Sequence, residues 1–356
     1  MYTEDDLRQA VASGAISADA AEALRQSVRT AHPTPSVDEE NFRLVNSFND
    51  IFVTIAAVLL LVAMAGIGQA FTPRLDGPPP FSGMLIAAAA WGMAEYFTRQ
   101  RRMALPSIVL LLAFVGGVFE ALLGFIVMAM GDDSTNERVA VTLVALAALA
   151  TAGAAWMHWR RFMVPITIAA GTAAVAGTVV ALIVAAIGPN NIEPEQALIP
   201  LVFIAGVSVF AFAMRWDMTD RERQTRRSDV AFWLHLLAAP MIAHPLFHWL
   251  GVTEGDSIGM GAAFGVLLVY LAMSLVALAV DRRALLVSAL AYVLFALGSL
   301  FERFGAVELN LALTALVIGS ALLTLSAFWT PIRQAVVRGL PTNLQSRLPV
   351  TALLAA

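Results

Sequence analysis

Cysteine is missing from all 356 residues. Disulfides, thiolate metal sites and cysteine nucleophiles are therefore excluded. Lysine is missing as well: the 22 basic residues are all arginine, a bias we attribute to the codon composition of a GC-rich genome. Charge of either sign is scarce, at 13% of residues, whereas soluble domains carry about a quarter. Hydrophobic residues make up 59% and the mean hydropathy is +0.76. A soluble globule of this size needs far more polar surface, and lipid removes that requirement. The expected fold class is an all-α, polytopic transmembrane helical bundle. The first thirty residues lack a basic segment followed by an apolar run, so no cleaved signal peptide is expected. No HExxH, phosphate-cradling glycine loop or dinucleotide fingerprint occurs, and no cofactor is indicated.

The polar part of the chain comes first. Thr3 and Asp6 form an imperfect capping box, and Gly14 stands where a helix C-cap belongs. Ser17 can cap a second helix running to about Thr30. Leu7 and Val11 make one apolar stripe, and Ile16, Ala21, Leu24 and Val28 make another. Residues 1–30 therefore read as a helical hairpin, net acidic and unsuited to an anionic membrane surface. A Pro-containing linker, 31–49, leads to a membrane domain over 50–330, and residues 331–356 read as a tail.

Ten apolar runs come next: Asp50–Phe71, Phe81–Thr98, Met103–Met130, Arg138–Met157, Val164–Ile187, Ala197–Met214, Val230–Leu250, Ser257–Val280, Ala284–Leu300 and Leu309–Trp329. Nearly all reach the ~20 residues that span ~30 Å of hydrocarbon, and the ninth is the shortest. Alternate breaks read RQRR, HWRR, RWDMTDRERQTRR and DRR, and the tail adds Arg333, Arg338 and Arg347. With the N-terminal region, nineteen arginines fall on one side and three (Arg74, Arg138, Arg303) on the other. The positive-inside rule places the rich side, with both termini, in the cytoplasm. For a bacterial chain that means the inner membrane. The spans divide five and five at Gly188–Gln196, giving halves 50–188 and 197–330. An odd count would invert them, as in many secondary transporters.

An ionisable group in mid-membrane costs roughly 2.5–3.5 kcal/mol on insertion scales, so each one is a candidate site. The seventh run holds three of the five histidines, His235, His244 and His248, with Pro240 and Pro245. Each proline removes a backbone donor, so this helix is expected to be kinked or interrupted, with freed carbonyls that need water, a side chain or a cation. His244 and His248 share a face at the i, i+4 spacing of helical zinc ligands, but no third ligand is near in sequence. His248, beside Trp249, also reads as an ordinary interfacial ring. Glu120 of the third run lies 18 residues beyond Arg102, and His244 lies 17 beyond Arg227. The two should share a depth and could form a proton-sharing pair. The bland alternative is that Glu120 braces a helix contact near Gly116 and Gly117. Gly261, Gly265, Ala169, Ala173 and Gly177 read as close-packing positions. The loop Arg215–Asp229 has five arginines and four acids, mostly self-compensating, so nucleic acid is not an expected partner.

The pattern DLRQAVASGAISADAAEAL, succeeded by a linker and a helix-rich region, resembles the bacterial predicted membrane proteins of domain-of-unknown-function family 2157. The resemblance covers about the first seventy residues and implies no activity. Three functional readings are open. The first is a small-solute or proton-coupled permease with a midplane site at the broken seventh helix. The second is a non-catalytic scaffold or sensor whose hairpin docks a soluble partner. The third is a membrane enzyme with metal on His244 and His248.

Overall fold

The structure is a computed structural model describing residues 10–31, 48–73, 75–131, 136–188, 194–223, 225–252, 259–303 and 309–350. Among them there are helices and turns and no strand. The N-terminal segment forms a compact unit of its own. In it, residues 10–12 end a helix at Gly14, whose φ is +73°. Ala15 N–H donates to the Ala10 carbonyl and Gly14 N–H to that of Val11, the paired bonds of a Schellman cap. Ser17 Oγ then accepts from Ala20 N–H at 3.1 Å and starts α1 (Ala18–Ala31). The capping pair Thr3 and Asp6, and Leu7, lie outside the described residues.

The second unit holds α2 (Phe48–Gln69), α3 (Pro80–Phe97), α4 (Ala104–Met130), α5 (Glu137–Phe162), α6 (Ile166–Ile187), α7 (Pro194–Thr219), α8 (Arg226–Trp249), α9 (Met260–Val280), α10 (Ala284–Arg303) and α11 (Asn310–Ala327). Each matches one apolar run of the sequence. Seven of them are long and apolar enough to cross a bilayer: α2, α4, α5, α6, α7, α8 and α9. The chain is thus a multi-pass membrane protein. α3 has 18 residues, and in α10 the apolar stretch Ala284–Gly298 is shorter still. α11 continues, after a 75° bend, into α12 (Trp329–Arg338), and α13 (Thr342–Gln345) comes after it. Residues 331–349 are therefore a folded part of the unit, and only 351–356 of the expected tail lie outside the described residues.

Large apolar side chains such as Phe52, Leu268 and Leu323 are exposed, which lipid tolerates and water does not. Half of the apolar window of α8 is buried, against 17% for α6 and α7, so α8 is the most enclosed candidate span. Helix packing has a simple order. α3 pairs with α4, α5 with α6, α7 with α8 and α9 with α10, while α2, α4, α6, α8 and α10 also pack successively. The unit is four helical hairpins joined through a row formed by their second helices. Packing runs across Gly188–Gln196 through α6 and α8.

Each hairpin turn carries an Arg–Arg pair: Arg101–Arg102, Arg160–Arg161, Arg226–Arg227 and Arg282–Arg283. Each also carries one non-glycine residue with φ of +52° to +59°: Arg102, Met163, Arg223 and Asp281. Those four are all of the left-handed non-glycine positions among the described residues. The repetition marks one turn design used four times. Glu95, near the end of α3, pairs with Arg161 at 2.7 Å, so the first two turns lie at one end of the bundle.

The α3–α4 contact depends on glycine on both sides. A Cβ on Gly83 of α3 would lie 2.5 Å from the Gly117 carbonyl oxygen of α4, and one on Gly117 2.7 Å from that of Gly83. The expected contact near Gly117 exists, and Gly116 next to it faces open space. Of the other expected close-packing positions, Ala169 is buried, Gly265 meets the Leu250 side chain, and Gly177 and Gly261 face open space.

Candidate functional site

α8 does not break. It runs as one helix from Arg226 to Trp249 with Pro240 and Pro245 inside it, contrary to the interruption expected from the sequence. The prolines leave the carbonyls of Leu236 and Met241 without their i+4 donors. α7 packs closely over the second of them. A Cβ on Gly206 of α7 would sit 3.0 Å from the Met241 carbonyl oxygen and 2.8 Å from Met241 Cβ. Only a glycine lets α7 close over that turn.

The three histidines of α8 have separate environments. His244 lies on an exposed face, its Nδ1 2.7 Å from the Tyr292 hydroxyl of α10. His248 is half-buried, with its ring 6.4 Å from that of His244. The shared face is therefore real, but no group of three or more His, Asp or Glu gathers anywhere among the described residues. Glu120 is half-buried on α4 and forms no hydrogen bond or ion pair among them. The expected Glu120–His244 pair does not form, because α4 packs on α3, α5, α2 and α6 whereas α8 packs on α7, α10 and α6. A shared count of residues from the arginine-rich breaks does not make two helices neighbours.

His235 is fully buried and belongs to a different assembly at the arginine-rich end. Its Nε2 lies 2.9 Å from Asp217 Oδ2, near the C-terminus of α7. An ionised carboxylate only accepts, so Nε2 carries the proton in that bond, and Nδ1 has no hydrogen-bond partner among the described residues. Asp217 Oδ1 accepts from Arg282 at 2.5 Å, and the same guanidinium reaches the Ser228 carbonyl at 3.1 Å. Phe210 covers the imidazole edge-on at 5.1 Å.

A second cluster completes the assembly. Arg223 donates to Asp281 Oδ2 at 2.7 Å and to the carbonyls of Val280 and Asp281 at 3.1 and 3.0 Å. The Trp329 indole donates to Asp281 Oδ1 at 2.7 Å, and Arg333 Nε stands 3.6 Å from the same oxygen. Arg333 also holds the Pro349 carbonyl at 2.9 Å, and Arg221 holds that of Leu348 at 2.9 Å. Burial pushes the Arg223 guanidinium below the usual arginine range, and the nearby Arg282 charge adds to this. Asp281 and Asp217 pull the other way.

The ion pairs are reciprocal. The third turn sends Asp217 to Arg282 of the fourth, and the fourth sends Asp281 to Arg223 of the third. The charges of the loop Arg215–Asp229, read as self-compensating, are thus compensated across two turns. In the sequence the signal was present as a carboxylate beside each arginine run, in RWDM and VDRR. What was missing was the identity of the partner. A further buried imidazole, His158, sits among Trp91, Phe114 and Phe162 with ring centroids 6.0, 5.6 and 4.5 Å away. Its Nδ1 is 3.3 Å from Thr167 Oγ1, and nothing in the pattern HWRR distinguished it from an interfacial ring.

The chemistry available here is structural. Both carboxylates are saturated by cations and donors, and the side chains of Asp217, His235, Arg282, Asp281 and Arg223 are at most 7% exposed. The network ties α7, α8, the α9–α10 turn, α12 and the segment to Pro349 into one block. No family model matches this chain, and neither a curated protein nor a solved structure matches it.

Proposed function

We propose that this chain is a non-catalytic membrane scaffold or sensor of the bacterial inner membrane, crossing ten times with both termini in the cytoplasm. Its arginine-rich end is then a rigid cytoplasmic platform, and the N-terminal hairpin is the part that docks a soluble partner. The observation that carries the reading is the buried reciprocal ion-pair network, which immobilises the last two turns, α12 and the chain to Pro349. Ten crossings draw support from the hairpin order, which gathers alternate arginine-rich breaks at one end.

The absence of native cysteine gives a background-free test of topology. A thiol placed at Asn190 is expected to label from outside, and one at Arg226 only after permeabilisation. The opposite pattern at either site overturns the orientation. Deleting residues 1–35 is expected to leave a protein that inserts and keeps its thermal midpoint, since α1 belongs to a separate compact unit. Loss of the truncated chain from the membrane would make the hairpin part of the fold and remove its docking role.

A permease is the second reading, and the exposed His244–Tyr292 pair within a membrane helix is what favours it. Proteoliposomes decide between the two. Pumping or uptake that responds to a pH gradient and disappears in His244→Ala would establish transport, and its absence leaves the platform.

A further inference from the structure

An apolar groove of about 640 Å³ lies over α6 between α5 and α7. Its walls run from Thr167 to Ile183, about 24 Å of helix axis at 1.5 Å per residue, most of the ~30 Å of a hydrocarbon core. The polar side chains in it are satisfied locally: Thr172 and Ser208 each donate to a carbonyl one turn back. The rest of the lining is apolar and suited to hydrocarbon.

The arginine-rich end of the groove is different in kind. Trp156 and Trp159 line it there, and the Arg160 guanidinium lies 4.9 Å over the Trp156 ring. Arg160 has no carboxylate partner among the described residues, whereas its neighbour Arg161 is held by Glu95. The indole N–H of Trp159 likewise has no acceptor among them.

The hairpin repeat supplies a comparison. One unit further along, a second apolar groove lies over α8 between α7 and α9 and reaches Leu285 on α10, but it holds only about 280 Å³. There the corresponding turn pair is Arg226–Arg227, and neither guanidinium lies over an aromatic ring among the described residues. The larger groove alone combines a full-length apolar wall with an uncommitted cation stacked on an aromatic ring.

We propose that this groove holds an acyl chain of an anionic phospholipid, with the headgroup phosphate on Arg160 and the Trp159 N–H. A guanidinium presents several donors to phosphate oxygens, and tryptophan belongs at the depth of the headgroups.

Native mass spectrometry of the purified full-length chain tests this with phosphatidylglycerol and phosphatidylcholine of matched chains. The first phosphatidylglycerol is expected to bind about fivefold more tightly than phosphatidylcholine, the discrimination one interfacial arginine contributes. Arg160→Gln should bring that ratio close to one, while Arg338→Gln, which removes a charge at the same end away from the groove, should leave it unchanged. Ala176→Phe or Ala205→Phe, each filling the groove without a change of charge, should weaken both lipids, with folding checked by the thermal midpoint. Equal affinity for the two lipids in the native chain would mean annular lipid only and overturns the proposal. So does full discrimination in Arg160→Gln, or an equal loss in Arg338→Gln.

Discussion

The first two hairpin turns and the last two are built from the same parts and end in opposite states. All four have an Arg–Arg pair and one left-handed residue. In the first two, the ion pairs of Glu95 with Arg99 and Arg161 leave side chains 32% to 53% exposed. In the last two, Asp217–Arg282 and Arg223–Asp281 are at most 7% exposed. The difference comes from the C-terminal segment. The bend after α11 turns α12 onto α9, and Trp329, Val337 and Leu348 bury there. Once water is excluded, each carboxylate must find a cation, and the turns exchange partners to provide one. The positive-inside rule counts arginines, and it cannot distinguish those that remain in water from those that become part of the core.

The largest expected effect tests that contrast directly. Arg282→Met leaves Asp217 buried with only His235, and removing one member of a buried pair costs about 3–5 kcal/mol. The expected result is a pronounced fall in the unfolding midpoint of the solubilised protein. Combining it with Asp217→Leu should recover most of the loss, because an apolar pair of similar volume can replace a buried ion pair. An Arg282→Met protein as stable as the native one would end the distinction between the two sets of turns.

Asp281→Asn is a narrower test. Asparagine accepts the left-handed backbone as readily as aspartate, so the turn is kept and only the charge is lost. Hydrogen bonds to charged groups contribute about 1.5–3 kcal/mol, and here Arg223 and Trp329 share the carboxylate. The loss should appear as release of α12. Trypsin is expected to cut faster after Arg333 and Arg338, and Trp329 emission should shift to the red. Unchanged cleavage would mean that apolar contacts alone hold α12.

How much of this was legible depends on the quantities a sequence encodes. Position along a helix axis is linear in residue number, so all ten apolar runs could be read. Lateral order is not linear in anything, and His244 faces Tyr292 of α10 instead of Glu120. The prolines of α8 illustrate a second limit. Pro240 and Pro245 announce missing donors, but α8 stays continuous, and the glycine that packs over Met241 lies on a different helix. The same limit hid the reciprocal pairing of Asp217 and Asp281, since charge balance within a loop says nothing about which loop supplies the partner.

Gly206 offers a test of intermediate size. Gly206→Val pushes a side chain into the Met241 backbone, where even a Cβ would sit 2.8–3.0 Å from its atoms. Overpacking of this kind costs about 1–3 kcal/mol. Gly177→Ala, in open space on α6, should instead stabilise through helix propensity. Equal effects at the two glycines would show that α7 does not pack closely over Met241.

The smallest expected effect belongs to the first two turns. Glu95 accepts from Arg161 at 2.7 and 2.9 Å and from Arg99 at 3.2 Å, which on geometry alone looks as strong as the buried network. Exposure decides otherwise. Exposed ion pairs gain little over hydrated charges, and salt screens them. Glu95→Gln should leave the unfolding midpoint within its experimental error, and raising the salt concentration should remove any residue of an effect. A loss comparable with that of Arg282→Met would mean that Glu95 is enclosed in the membrane-embedded protein. In that case both pairs of turns would be buried charge networks, and the arginine-rich end would be one continuous block from Glu95 to Arg333.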